Sequence, residues 1–418
     1  IYDPHATATR PRFDGSVSSQ LEQQSSVETN GWSALLSGSL KLNANNSISL
    51  LFMPNQTGVN RVRKSYDKGD KTITVTNNQF YEQRSQMIYQ LKAEDYFPFL
   101  KIKSELIASY TRGNSSAPDF KNLQYWKNPD TTYQIGGSIG DGIHRYYRYL
   151  SDHVFDSKWT LDIPLTKSAD RVRKLKTGVA YQRNDRKSKQ YDYAVYLSPN
   201  AGVLTNEDID AYLNPGQFGF NTYTDVNGNT VHQINAWYVD LSSPADQTFG
   251  YSNLYGAYLS MDYALTNRLR FTGGLLYEYA AIYTDVILFD SLGLKKNDPR
   301  RKYSESYPVA NPGSLTTSDI LPSAGIIFKL IEREKMPVNI RLNYAQSLAR
   351  PSIRELSDIA GYDYELRAPV FGNSDLKPVS IHNYDFRAET LTPNNFSASV
   401  SLFYKSFKNQ RRLYLAKC

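Results

Sequence analysis

The chain has 418 residues, a hydrophobic content of 40% and a formal net charge of +7, with a mean hydropathy of −0.53. No segment approaches the roughly eighteen consecutive apolar residues of a membrane helix, so helical membrane spans are excluded. The basic residues lie in short clusters at expected turns, which argues against a nucleic-acid-binding face, and the single cysteine, Cys418, excludes a disulfide framework.

Segments in which polar and apolar residues alternate, the pattern of β-strands, follow one another along the chain. Residues 1–14 have no such period and are predicted to be a loop, while residues 15–28 are predicted to be a polar strand. Further strands are predicted at residues 32–42, 48–62, 72–91, 101–110, 148–165, 175–183, 255–265, 269–279, 320–331, 338–346, 383–391 and 396–407. About a dozen strands fit a closed barrel better than a compact sandwich.

Tight turns alternate with long connections in this series, except that the connection near residue 67 is of modest length. Turns are expected near residues 43, 98, 168, 266, 332 and 393–395, and long outer loops at residues 112–147, 184–250, 284–318 and 348–382. In outer-membrane barrels every second connection lies at the same rim, with short turns at one rim and long loops at the other. The sequence therefore predicts an all-β fold, an antiparallel up-and-down transmembrane β-barrel of which this chain forms part.

The two faces of the predicted strands differ in polarity. Tyr255, Ala257, Leu259 and Met261 form one apolar row, and Val338, Ile340 and Leu342 form another. If the polar rows instead faced lipid, each Arg or Lys near the midplane would cost about 2–4 kcal/mol. We therefore expect the apolar rows to face outward, with Asp262, Arg270 and Arg341 facing the lumen.

The most distinctive stretch spans residues 343–389, where two predicted strands flank a connection of roughly thirty-five residues, far longer than a hairpin loop. Ser352 and Glu355 are spaced as a capping box, which predicts a short helical turn. The Gly-Asn pair at 372–373, followed by Pro378, predicts a reversal of the chain.

The runs RPSIREL at 350–356 and GNSDLKP at 372–378 resemble the signature near the late strands of TonB-dependent outer-membrane receptors, particularly the Bacteroidetes type. The resemblance implies a bacterial outer-membrane transport protein, surrounded by lipid, without catalytic residues or a cofactor. It implies energy-coupled uptake of a large scarce solute, such as an oligosaccharide or metal chelate, through a plug that meets the TonB complex. Participation of a surface lipoprotein is left open. We expect residues 1–418 to be one partial barrel domain, truncated at both ends and without its plug.

The motif residues have two interpretations: a structural clamp, or contacts to plug or substrate. In the clamp, which we favour because one scaffold motif serves many substrates, arginines pair with carboxylates and hold the loop against the wall. The residues concerned are Arg350, Pro351, Arg354, Glu355, Gly372, Asn373, Leu376, Lys377 and Pro378.

Aromatic pairs in the expected long loops are candidates to stack on a sugar ring or an aromatic chelator, although packing or interfacial roles are the alternative. They are Tyr125, Trp126, Tyr146, Tyr147, Trp237 and Tyr238. The five histidines lack the spacing of metal ligands. Two rival functions stay open: a soluble all-β protein that binds or degrades glycans, for which Asp262 and Glu278 could pair as catalytic carboxylates, and a passive porin.

Overall fold

In the computed structural model, the described residues form one eighteen-stranded antiparallel sheet and a separate two-stranded ribbon. The structure describes residues 2–11, 17–69, 73–127, 133–135, 142–166, 173–197, 203–204, 219–242, 247–286, 313–331, 337–356, 360–363, 368–391 and 396–409. The predicted turns near residues 168, 332 and 393–395 and most of the predicted loop at 284–318 lie outside them.

The strands are β1 (Tyr2–Pro11), β2 (Val17–Ser33), β3 (Leu36–Lys41), β4 (Asn46–Gly69), β5 (Ile73–Phe97), β6 (Ile102–Lys127), β7 (Tyr133–Ile135), β8 (Ile143–Pro164), β9 (Arg173–Leu197), β10 (Val203–Leu204), β11 (Gly219–Thr224), β12 (Thr230–Asp240), β13 (Gln247–Ala264), β14 (Leu269–Val286), β15 (Gly313–Ile331), β16 (Val338–Ala349), β17 (Ala360–Asp363), β18 (Ala368–Phe371), β19 (Val379–Leu391) and β20 (Ser397–Lys408).

The long strands form an up-and-down series in which each pairs with the next: β1, β2, β4, β5, β6, β8, β9, β13, β14, β15, β16, β19 and β20. The predicted antiparallel order is therefore confirmed. No ladder between described residues joins β20 to β1, so the described sheet is open. No helix among the described residues is long and apolar enough to cross a membrane.

The prediction of a loop at residues 1–14 is wrong, because Tyr2–Pro11 pairs with β2, with Thr7 opposite Glu22 and Thr9 opposite Gln20. Here alanine alternates with threonine at 6–9, so hydrophobicity carries almost no period of two. Backbone hydrogen bonds to β2 define this strand, and they leave little trace in the side chains.

Strands β2 and β3 are one strand interrupted opposite Pro54. The pairs Ser33–Asn55 and Leu36–Phe52 keep the same register across the break, and the Ala34 backbone N–H still donates to the Pro54 carbonyl at 3.0 Å. Proline has no N–H to complete the pair of ladder bonds. The interruption is therefore local, and the strand continues past it.

The sheet has an apolar face and a polar face, as the alternation predicts. Tyr255 and Leu259 are 48% and 52% exposed on the apolar face, and their cross-strand neighbours there, Tyr279 and Leu275, are also hydrophobic. On the polar face Arg270 Nε donates to Asp262 at 2.6 Å. We call these the apolar face and the polar face throughout.

An aromatic girdle crosses the apolar face from one end of the sheet toward the other. Neighbouring rings approach within 4.9 Å at Phe52–Tyr89 and at Tyr181–Tyr255, and within 5.1 Å at Tyr344–Tyr384. The girdle comprises Phe52, Tyr89, Tyr110, Phe155, Tyr181, Tyr255, Tyr279, Tyr344, Tyr384 and Tyr404.

The apolar row below the girdle has the thickness of a bilayer core. On β13 it spans ten residue steps, from Tyr255 to Leu265. At about 3.3 Å a step and a tilt of about 40°, the row is roughly 25 Å thick, which matches the apolar band of outer-membrane barrels.

The described turns at 42–45, 98–101 and 265–268 lie at one rim, and the 198–246 connection leaves from the other, where the short connection between Gly69 and Ile73 also lies. Strands β9 and β13 pair from Lys189–Gln247 at one end to Arg173–Tyr263 at the other, so the 198–246 connection lies at the rim opposite the turn at 265–268. The strands extend further into the long connections than predicted, with β6 continuing to Lys127 and β8 beginning at Ile143. The apolar row that revealed the strands therefore ends before the strands do.

Candidate functional site

The connection between β16 and β19 is here called the 350–378 loop, and its described residues 350–356 fold onto the polar face of the sheet. Arg350 follows β16 directly, and its guanidinium donates from Nη1 to Glu278 Oε2 at 2.8 Å and from Nη2 to Asp319 Oδ2 at 3.2 Å. Glu278 on β14 and Asp319 on β15 are cross-strand partners. The arginine therefore ties the loop to two neighbouring strands.

The predicted capping box forms in both directions. The Ser352 backbone N–H donates to Glu355 Oε2 at 2.7 Å, and the Glu355 backbone N–H donates to Ser352 Oγ at 3.3 Å. The Leu356 N–H donates to the Ser352 carbonyl at 3.3 Å, which completes one helical turn. This turn presents Ile353 and Leu356 on the same side.

Ile353 and Leu356 pack with Ile282 of β14 in a buried cluster, against which Leu315 and Leu376 also lie. Leu356 is fully buried and Ile353 is 8% exposed. Pro351, between the clamp and this turn, is buried as well. Ordinary hydrophobic burial and the Arg350 ion pairs thus hold the loop on the sheet together.

The sheet accommodates the loop through a row of small residues, Gly250, Thr284 and Gly313, which are cross-strand partners on β13, β14 and β15. A Cβ at Gly250 would lie 2.3 Å from Ile353 Cγ2, and a Cβ at Gly313 would lie 2.0 Å from the Leu356 carbonyl oxygen. A larger residue at either position is incompatible with the docked loop.

Gly313→Ala should therefore displace the 350–378 loop. Because the obstructing atom is a backbone carbonyl, we expect an overpacking cost of about 1–3 kcal/mol. Limited proteolysis within the loop would measure this as faster cleavage. Gly38→Ala on β3 is the matched control, since a Cβ there has no neighbour within 4 Å. Equal cleavage rates in the two variants would contradict the docked position of the loop.

The second half of the loop returns along the first, as the Gly-Asn pair and Pro378 predict. The Asn373 N–H donates to the Glu355 carbonyl at 2.7 Å, and Asn373 Oδ1 accepts from the Asp375 N–H at 2.8 Å. Gly372 and Pro378 are half-buried in this reversal. The clamp interpretation does not extend to Arg354 and Lys377, which are exposed and form no ion pair with the described residues.

A cavity of about 510 Å³ lies on the polar face next to the clamp, and Glu278 lines it. Tyr258 crosses the cavity wall toward β8, with its hydroxyl 3.0 Å from Thr160 Oγ1 and its ring above Gly178, where a Cβ would lie 2.8 Å from Cε1. The wall combines apolar, hydroxyl and charged groups: Leu276, Leu321, Ser260, Ser323, Lys158 and Asp156. It suits a polar solute or a polar protein segment.

The aromatic residues predicted to contact a ligand lie on strands and not in loops. This corrects the prediction that they are loop residues able to stack on a solute. Consecutive strand residues point to opposite faces, so each pair is divided between the two sides. Tyr125 and Tyr146 are 0% and 1% exposed, so neither ring can stack on a ligand, and the prediction is wrong for them. Trp126 is half-buried on β6.

Trp237 remains the best-placed aromatic candidate. It is 41% exposed and stacks on Tyr196 with ring centroids 5.8 Å apart. Tyr196 is its cross-strand partner on β9, and it shares a face with Ala180 of the cavity wall. Trp237 therefore lies on the polar-face side at the rim with the long connections.

Tyr147 and Tyr238 lie on the other side of the extended strands. The rings of Tyr147 and Tyr193 pack edge to face, with their centroids 5.9 Å apart. Burial raises the pKa of the Tyr147 hydroxyl. Tyr238 Oη accepts from Arg145 Nη1 at 3.3 Å. Arg145 also forms a two-pronged pair with Asp119, with both distances 2.6 Å, and these hydrogen bonds raise the pKa of its guanidinium.

The geometry does not support the catalytic pair considered for glycan hydrolysis. Asp262 is bound by Arg270, and Glu278 is bound by Arg350. Glu278 lies opposite Gly256, six residues from Asp262, so the two carboxylates are about 20 Å apart at strand spacing, twice what such a reaction allows. No group of three potential metal ligands occurs among the described residues.

Comparison with known proteins assigns the family. The sequence model described as "TonB dependent receptor-like, beta-barrel" matches residues 106–414, more than half of the chain. A search of curated proteins found no match.

Similar solved structures include the siderophore receptor PiuA from Acinetobacter baumannii, with 11% identity over 96% of this chain and 56% of that one, TM-score 0.44. The ferric-catecholate import receptor Fiu from E. coli has 11% identity over 96% and 59%, TM-score 0.47. The ferripyoverdine receptor of Pseudomonas aeruginosa has 9% identity over 94% and 49%, TM-score 0.48. This chain thus spans about half to three fifths of their lengths.

Members of the matched family are outer-membrane transport proteins and not enzymes. The family match confirms the predicted all-β barrel class and the predicted bacterial outer-membrane location. The chain belongs to the TonB-dependent receptor family, as part of its outer-membrane β-barrel.

Proposed function

We propose that this protein is an outer-membrane receptor that imports a large scarce solute, such as an oligosaccharide or metal chelate, with energy delivered by the TonB complex through a plug domain. The apolar face contacts lipid and the polar face lines the lumen. The observation that carries the proposal is the 350–378 loop, which is clamped to the polar face beside a cavity of about 510 Å³ with mixed polar and apolar walls. An obstructed, polar lumen suits selective import.

We further propose that the motif residues act in two groups. Arg350, Pro351, Glu355 and Leu376 hold the loop on the wall, as their ion pairs, cap and burial support. Arg354 and Lys377 project from the docked loop and are free to meet the plug or the solute. A surface lipoprotein is compatible with this arrangement, since the long connections share one rim.

Uptake should depend on TonB. We expect a strain with the intact gene to accumulate one labelled glycan or metal chelate from a panel at least tenfold faster than a deletion strain, and this advantage to vanish when TonB is inactivated. Uptake that persists without TonB would instead identify a passive porin. If the protein is present and heat-modifiable but the strain takes up no compound of the panel, the result would contradict a transport role.

Trp237→Ala should weaken solute capture at the rim. Loss of one stacking ring removes about 0.5–1.5 kcal/mol, so the solute concentration for half-maximal uptake should rise roughly two- to tenfold at unchanged maximal rate. Tyr223→Ala, which removes an equally exposed ring (41%) from the neighbouring β11, should have no such effect. Identical shifts in both variants would remove Trp237 from the proposed site.

A further inference from the structure

Basic residues gather on the apolar face immediately beyond the aromatic girdle, at the end of the sheet toward the long connections. Arg112 on β6 lies two residues after the girdle residue Tyr110, on the same face of the strand. Arg183 on β9 lies two residues after Tyr181 in the same way. Lys187 and Lys189 continue the same row of β9. We call Arg112, Arg183, Lys187 and Lys189 the basic patch.

Cross-strand register brings the basic patch together. Arg112 lies opposite His153, which in turn lies opposite Asp185 on β9, two residues from both Arg183 and Lys187. With strands about 4.8 Å apart and about 6.7 Å between alternate residues, the Cα atoms of Arg112 and either neighbour are about 12 Å apart. Long basic side chains at that separation can reach one ligand with two or more anionic groups.

Most of the positive charge in the patch is not neutralised by the protein. Arg183 forms a two-pronged pair with Asp185, at 2.7 and 2.8 Å. Arg112, Lys187 and Lys189 are exposed and have no ion-pair partner among the described residues. The Arg186 side chain, between Asp185 and Lys187 in the sequence, points to the polar face, where it binds Asp152 at 2.7 Å, so its charge belongs to the other side of the sheet.

The patch is confined to one part of the wall. The same level of the apolar face carries the uncharged side chains Thr316 and Ser318 on β15 and Gln346 on β16, with His382 on β19 and one exposed lysine, Lys408, on β20. Clustered basic residues beyond the girdle are therefore a feature of β6 and β9 and not of β15 or β16.

We propose that the basic patch is a docking surface for the phosphate groups of lipid A in the outer leaflet. Aromatic girdles mark the boundary between hydrocarbon and headgroups, and the long-connection rim of an outer-membrane barrel faces outward. The patch thus lies at headgroup depth, where guanidinium and ammonium groups pair with phosphate. The bound lipid would cover the hydrophobic rows of Phe155, Tyr181 and Tyr255 with its acyl chains.

The proposal can be tested with the full-length protein and nanodiscs containing either diphosphoryl lipid A or its dephosphorylated form. Each basic residue near an anionic lipid surface contributes about a fivefold change in binding. The variant Arg112→Gln/Lys187→Gln/Lys189→Gln should therefore bind diphosphoryl lipid A on the order of 100-fold more weakly, with unchanged binding of the dephosphorylated lipid. High salt should also weaken the binding of diphosphoryl lipid A by the wild-type protein.

A matched control removes three exposed charges at the opposite rim, in the variant Lys41→Gln/Lys101→Gln/Lys174→Gln, and should bind as wild type does. If the triple patch variant is not heat-modifiable, Lys187→Gln and Lys189→Gln alone should each lower binding roughly fivefold. Equal binding of the two lipids by the wild type, an unaffected patch variant, or an equal loss in the control would each overturn the proposal.

Discussion

Arg350→Met should release the 350–378 loop from the barrel wall. The substitution leaves the Glu278 and Asp319 carboxylates without the cation between them, and their side chains are only 18% and 26% exposed. Removing one partner from a largely buried pair is strongly destabilising, and we expect the docked state of the loop to lose about 2–4 kcal/mol. Hydrogen exchange of the Asn373 amide, which donates to the Glu355 carbonyl across the loop, should accelerate roughly 30-fold or more.

Two further variants make the result specific to the clamp. Arg341→Met, on β16, removes an arginine that is paired with Glu389 and whose side chain is 43% exposed, and a pair so exposed contributes at most about 1 kcal/mol. It should leave Asn373 exchange unchanged. Adding Glu278→Gln and Asp319→Asn to Arg350→Met should restore part of the protection, because no uncompensated carboxylate remains. Unchanged exchange in Arg350→Met would refute the clamp.

Leu259→Arg should destabilise the barrel in a bilayer by about 2–4 kcal/mol, because it places a cation near the middle of the lipid-facing row. Leu259 lies between Tyr255 and Tyr263 in this row and is 52% exposed. Urea titration of the full-length protein folded into lipid vesicles measures the effect as a lower unfolding midpoint.

The control places the same charge on the polar face. Gln182→Arg adds an arginine to the cavity wall, next to the Asp156 carboxylate that the glutamine already contacts at 3.4 Å. Its cost should stay below about 1 kcal/mol. If the two variants have the same midpoint, or if Gln182→Arg is the less stable, the two faces have been assigned the wrong way round.

Alternation in the sequence was sufficient to predict the membrane-facing part of the fold. It succeeded on β13, where Tyr255 and Leu259 alternate with Gly256 and Ser260, because lipid contact requires an apolar residue at every second position. It failed on β1, which contains no comparable row, and in the upper half of β6, where Leu123 and Tyr125 are buried in a cluster that only the neighbouring strands complete. The extent of the strands beyond the membrane depends on backbone pairing, which a single sequence barely records.

The motif predicted the local structure of the site but not its environment. The capping box of Ser352 and Glu355 and the reversal at Asn373 involve residues close in sequence, so local rules were enough. The seat at Gly250 and Gly313 was missed, because only the register of β13, β14 and β15 brings those glycines into one row. Glu278 was considered as a catalytic carboxylate, and for the same reason its role as the Arg350 partner could not be predicted.

The most direct test of the account is a scan of spin labels along β13, one position at a time from 254 to 265, in the full-length protein in lipid vesicles with Cys418 replaced. Labels at odd positions should be accessible to oxygen, which concentrates in lipid. Labels at even positions should be accessible to a water-soluble nickel chelate or shielded from both reagents. This period of two, with Leu259 at the oxygen maximum, is the result expected of a barrel wall. Uniform accessibility along the strand, or oxygen maxima at Ser260 and Asp262, would contradict it.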